Sequence, residues 1–101
     1  MAEYQLSALA EADVREIAAA TIVQWGGQQA KTYLQKLHKT LMTLAENPNL
    51  GRPRDDIFIG VKSFPSGKHC IFYLPAEQGI KVARILHQRT EPTLQFDVAT
   101  W

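Results

Sequence analysis

The stretch from Leu6 to Pro48 constrains this chain most, because it reads as two amphipathic helices folded back on each other at Gly26-Gly27. In the first, Leu9, Val14, Ile17, Ala18, Thr21 and Trp25 recur at the three- and four-residue steps of one helical stripe. Ser7 is placed to cap its N-terminus, and Glu11 and Asp13 sit near the positive end of the helix dipole. In the second, Ala30, Leu34, Leu37, Leu41 and Leu44 form the apolar seam, leaving Lys31, Gln35, Lys36 and Lys39 outside and His38 in solvent beside its lysines. Asn47-Pro48-Asn49-Leu50-Gly51 stops that helix. Everything that follows reads as sheet, so the hairpin must supply the other half of the core.

The rest of the chain supports an α+β domain. Glu3-Tyr4-Gln5-Leu6 alternates polar and apolar as a short strand at or beside the sheet edge, with Tyr4 and Leu6 facing the helices. After the polar loop from Asn49 to Asp56, three strands follow as an antiparallel meander. The first alternates through Ile57, Ile59 and Val61 and stops near Phe64-Pro65-Ser66-Gly67. The second runs from His69 to Leu74, with His69, Ile71 and Tyr73 on one face and Cys70, Phe72 and Leu74 on the other. The third runs from Ile80 to His87.

One residue disturbs that last strand. Arg84 shares a face with Ile80, Val82 and Leu86, so either a bulge shifts the alternation or an arginine reaches across an apolar face. The segment from Gln88 to Trp101 carries Leu94, Phe96, Val98 and Trp101 without a clear period. It is too apolar for a solvated end, so it docks back on the domain or another protein covers it.

Composition narrows the function. A chain of 101 residues with a 46% hydrophobic fraction is one soluble domain, with no apolar run for a membrane span and no leader pattern. Cys70 is the only cysteine, which excludes an internal disulfide and fits a reducing cytoplasm; it reads as a packing residue. The three scattered histidines lack metal-site spacing, and no cofactor is expected. A net charge of +1 is too small to hold nucleic acid by bulk electrostatics, although seven of the eleven cations lie from Gly51 onward.

The ordered set of short segments resembles a known family. It comprises Leu6-Ser7, Ala12-Asp13-Val14-Arg15-Glu16-Ile17, Trp25-Gly26, Gln29-Ala30 with Tyr33-Leu34 and Leu37, and Leu44-Ala45-Glu46-Asn47-Pro48 with Gly51-Arg52. It continues with His69 to Tyr73 and Arg84-Ile85-Leu86-His87-Gln88-Arg89. Over residues 3 to 89 it is similar to the ParE toxins of bacterial type II toxin–antitoxin modules, within the RelE/ParE superfamily. It departs at Thr90-Glu91, where these toxins often carry a hydrophobic residue and Asp.

The resemblance implies a cytoplasmic toxin that inhibits DNA gyrase by binding it and is neutralised by a cognate antitoxin. Arg52, Arg54, Arg84, Arg89, Phe96 and Trp101 are the expected contacts to antitoxin or target. On this reading the chain is a binding module, without membrane attachment or direct sequence-specific contacts to nucleic acid. The rival is the RelE branch, which cleaves mRNA on the ribosome. That chemistry needs a base, an acid and cations around a phosphate, for which His69, Tyr73, Arg84 and His87 are the candidates. A silent member that only holds its antitoxin is the third reading.

Overall fold

Ser7 sets the architecture. Its hydroxyl accepts the Ala10 N–H at 3.0 Å, capping helix α1 (Ala8–Trp25), and donates to the Ala83 carbonyl at 2.7 Å, fastening that cap to the sheet. Gly26, at φ 92°, ends α1 and begins α2 (Gly27–Glu46) with no other connecting residue. An L side chain rarely adopts that conformation, so glycine permits the abrupt reversal.

The computed structural model describes residues 2–92. Strand β1 (Glu3–Leu6) precedes the helical hairpin. After it come a single 3-10 turn (Pro48–Leu50) and strands β2 (Arg52–Pro53), β3 (Lys62–Ser66), β4 (His69–Ala76) and β5 (Gly79–His87). The sheet order is β1-β5-β4-β3-β2, with β1 parallel to β5 and the other neighbours antiparallel. The expected α+β fold, with an N-terminal strand, a helical hairpin and a three-stranded meander packed on it, is therefore the observed one. Added to it is the two-residue edge strand β2.

The main core lies between the hairpin and one face of the sheet. Ile17, Leu37, Leu41 and Leu44 from the helices meet Ile71, Tyr73, Ile80, Val82 and Ile85 from the strands. Tyr4 and Leu6 pack against it as expected. His38 is exposed, but its Nδ1 also lies 2.6 Å from the Tyr4 hydroxyl, tying α2 to the edge strand. A smaller cluster of Val61, Phe72 and Leu86 occupies the opposite face, with Ile57, Cys70 and Leu74 against it. Burial raises the Cys70 thiol pKa, which fits a packing residue and not a nucleophile.

Two expectations require correction. The strand drawn through Ile57, Ile59 and Val61 is instead a closed loop, and β3 starts at Lys62 and runs through Pro65. The Asp55 carboxylate accepts the Gly60 N–H at 2.8 Å, and Val61 donates to the Phe58 carbonyl, so local turns consume the groups a ladder would need. The stripe of α1 is also rotated. Its buried residues are Ala10, Asp13 and Ile17, whereas Leu9 and Trp25 are exposed. An acid occupies a core position, which apolar periodicity alone does not reveal.

The bulge that Arg84 raised as one alternative is present. Phe72 pairs with Arg84 and Tyr73 with Val82, leaving Ala83 as the extra residue. The side-chain alternation slips there, so Val82 and Ile85 both reach the main core and Leu86 turns to the opposite cluster.

Candidate functional site

Strand β1 pairs with β5 only as far as Val82, after which the β5 edge would be bare. Helix α1 takes over that edge through polar atoms. Ser7 N–H donates to the Val82 carbonyl, and the Asp13 carboxylate accepts the Ile85 N–H at 2.9 Å. The same carboxylate receives Arg84 Nε and Nη2, both at 2.8 Å, as a fork. The Asp13 and Arg84 side chains are 8% and 14% exposed, so the guanidinium that sequence offered to a partner or target is paired inside the fold. The hydrogen bond to Asp13 raises the Arg84 pKa further.

Tyr73, a nuclease candidate, is also committed to structure. Its ring is fully buried; its hydroxyl donates to the Pro48 carbonyl and accepts the Gly51 N–H, both at 2.8 Å. The phenol thus pins the 3-10 turn to the sheet, and a Cβ on Gly51 would collide with its hydroxyl. Of the four residues proposed from sequence for one catalytic cluster, Tyr73 stands apart in the interior, whereas His69, Arg84 and His87 line one pocket of about 360 Å³ together with Asp13 and Glu16, the guanidinium there already held by the Asp13 carboxylate.

His69 opens β4 and His87 closes β5, directly opposite each other in the ladder. Their rings meet edge to face at 5.5 Å between centroids. The bulge at Ala83 matters here, because it puts His87, like Ile85, on the helix side of the sheet with His69. The two imidazoles sit in an open cleft of about 560 Å³ between the ends of β4 and β5, the last turns of α1 and the first turns of α2.

Three residues that sequence reasoning did not single out as site residues shape this cleft: Tyr33, Lys68 and Trp25. The Tyr33 hydroxyl lies 2.6 Å from His69 Nδ1, 3.2 Å from the Ser66 carbonyl and 3.0 Å from the Lys68 N–H that donates to it. It holds the tip of the β3–β4 hairpin, where Gly67 at φ 58° leaves room that a Cβ would fill, at 2.6 Å from that oxygen. Lys68 Nζ lies 5.7 Å from the centre of the Trp25 ring, over its face. A signal for Tyr33 did exist, since it falls four residues before Leu37 on the buried side of α2.

The hydrogen bonds assign the imidazole protons. His87 Nδ1 accepts the Arg89 N–H at 3.1 Å, so the proton of the neutral ring is on Nε2. His69 engages Tyr33 through Nδ1. Burial lowers the His69 pKa, helped by His87 and opposed by Asp13.

The remaining sequence candidates are dispersed. Arg89 lines the cleft. Arg52 lies on the far edge strand; Arg54 pairs with Asp56 at 3.1 Å and sits 5.9 Å from the Phe72 ring centre on the opposite face. That pairing raises the Arg54 pKa and lowers that of Asp56. Phe96 and Trp101 lie outside the described residues. Among the described residues no group of three or more His, Cys, Asp or Glu could hold a metal ion, and no helix is long and apolar enough to cross a membrane.

A helical hairpin laid on a five-stranded mixed sheet is the RelE/ParE-like fold. A chain from a structure titled "Chromosomal ParDE TA system from P. aeruginosa" shares it with a TM-score of 0.73 at 20% identity, over 86% of this chain and 96% of that one. Sequence narrows the assignment. The family model for the ParE toxin of the type II toxin–antitoxin system, parDE, matches residues 4–92, and the chain belongs to that family. It is 39% identical to Toxin ParE1 of Mycobacterium tuberculosis, over 87% of this chain and 91% of that protein. It is 34% identical to Toxin ParE1 of Caulobacter vibrioides over the same shares, and 33% identical to Toxin ParE of Escherichia coli over 90% and 89%.

Proposed function

We propose that this chain is a cytoplasmic toxin that inhibits DNA gyrase by binding it and is kept inactive by a cognate antitoxin. Family membership supports the toxin role. The observation that carries the choice of binding over cleavage is the fate of the nuclease candidates. Tyr73 is locked against Pro48 and Gly51, outside the pockets that His69 and His87 line, and Arg84, although it lines a pocket with both imidazoles, has its guanidinium paired with Asp13, so the charge a phosphate would need is already neutralised. A binding toxin needs only a rigid surface.

Helix α1 supports a protein partner. Ile22, Val23 and Trp25 are 52%, 88% and 57% exposed in its last turns, more apolar surface than a solvated helix end requires. Of the cations expected to meet the partner's acids, Arg52 and Arg89 remain exposed at the surface.

A supercoiling assay with purified gyrase is the test. Added toxin should block supercoiling of relaxed plasmid, and prior mixing with the antitoxin encoded beside it should restore it. Full supercoiling at a large excess of toxin would refute gyrase as the target. The imidazole pair favours one second reading, cleavage of mRNA on the ribosome, with His69, His87 and the cleft around them in place of the original set of four. Prompt transcript cleavage in induced cells, with supercoiling intact, would select it.

A further inference from the structure

The cleft between the hairpin and the ends of β4 and β5 gathers cationic and imidazole side chains at one place. Two cations, Lys68 and Arg89, stand at its rim. Two imidazoles line its wall, and the His87 Nε2–H, on the far side of the ring from the backbone N–H that holds its Nδ1, has no hydrogen bond among the described residues. Among the described residues that line it there is no carboxylate. With two cations and no carboxylate among its described lining residues, the cleft carries net positive charge.

We propose that the cleft is the docking point for an acidic peptide segment of the antitoxin. One carboxylate of that segment would seat between His87 Nε2–H, Lys68 and Arg89, and an adjoining aliphatic side chain would lie against Trp25. This rests on the antitoxin partnership above and gives it an address. The neighbouring surface decides between a peptide and a nucleic acid. Ile17, Ala20 and Trp25 form one wall of the cleft, and Ile22 and Val23 are exposed on the flanks of the same helix, outside the cleft lining. An amphipathic peptide covers such a surface as it folds on it. A polyanion would find only two cations here on a chain whose net charge is +1. Trp25, more than half exposed and already stacked under Lys68, has the form of an aromatic anchor that a partner's side chain completes.

The experiment is a calorimetric titration of the full chain with the antitoxin, comparing wild type, the double variant Lys68→Glu/Arg89→Glu, and His87→Leu. All three altered side chains belong to exposed residues, and thermal melting checks that each variant remains folded. The charge reversal should weaken binding by roughly tenfold or more, and its deficit should shrink as salt rises. His87→Leu should weaken binding by about tenfold with little change in salt dependence. A lysine in place of the responsible antitoxin acid should restore affinity for the double variant. Affinities of folded variants within twofold of wild type would overturn this inference alone. Failure of the wild type to bind antitoxin at all would overturn the partnership as well. A loss seen only with a labelled RNA or DNA 20-mer, with antitoxin affinity unchanged, would also overturn it and give the cleft to nucleic acid.

Discussion

Tyr73 and Tyr33 do the same chemistry in opposite surroundings. Each phenol bridges the two sides of a turn, accepting a backbone N–H and lying within reach of a backbone carbonyl: Gly51 and Pro48 for Tyr73, Lys68 and Ser66 for Tyr33. Tyr73 is sealed, and both its hydrogen bonds end on backbone. Tyr33 is open to the cleft and has a third neighbour, His69, at 2.6 Å. On β5 the same contrast recurs three residues apart, with Arg84 satisfied internally by Asp13 and His87 leaving a donor unused. A polar residue in this fold is structural when its partners close on it and available when one donor still faces outward.

The contrast can be broken most severely at Arg84. Arg84→Leu strands a nearly buried carboxylate with only the Ile85 N–H, and should cost about 3–5 kcal/mol, read by urea denaturation. A loss below about 1 kcal/mol would mean the pair is not sealed. Tyr73→Phe removes a hydroxyl that satisfies two backbone groups, and the expected loss is about 1–3 kcal/mol by the same measurement. Tyr33→Phe should cost less, around 1 kcal/mol, because water can reach the freed groups, but it should weaken antitoxin binding where Tyr73→Phe does not. Equal effects of the two on binding would erase the distinction.

The smallest effect concerns pH. Because burial depresses the His69 pKa, the folded protein binds its proton less readily than the unfolded chain does. Its contribution to stability is fully present above the unfolded value of about 6.5 and is lost as pH falls through the lower folded value. Unfolding free energy should therefore decline as the solution is acidified below that point. His69→Phe should flatten that part of the profile, and an unchanged slope would mean that another group is responsible.

Much of the architecture was legible beforehand. Helical stripes, Ser7, Gly26-Gly27 and Pro48 place the hairpin, and alternation from His69 to Leu74 places β4 with both faces correct. The failures have one physical origin. Asp13 was read as a charge near the helix dipole, and Ile57 and Trp25 by their apolar side chains, whereas each takes its position from something else: the bare edge of β5, the turns around Asp55, and the end of the sheet beneath α1. Of the candidate site, His69, His87 and Arg89 were already named; Tyr33, Lys68 and Trp25 were not, because Tyr33 and Trp25 reach it from helices far back in the chain, and Lys68, although next to His69, is drawn in by its place over the Trp25 ring.

Periodicity and turn chemistry act between residues a few positions apart, so the sequence alone determined the order of elements, the hairpin and membership in a toxin family. Which cations are spent and which remain on offer was decided only by tertiary structure. One extra residue at Ala83 sets the face of everything after it, and a carboxylate on α1 either finds Arg84 or leaves it to others. Such satisfaction of polar groups depends on three-dimensional proximity, which no local pattern encodes.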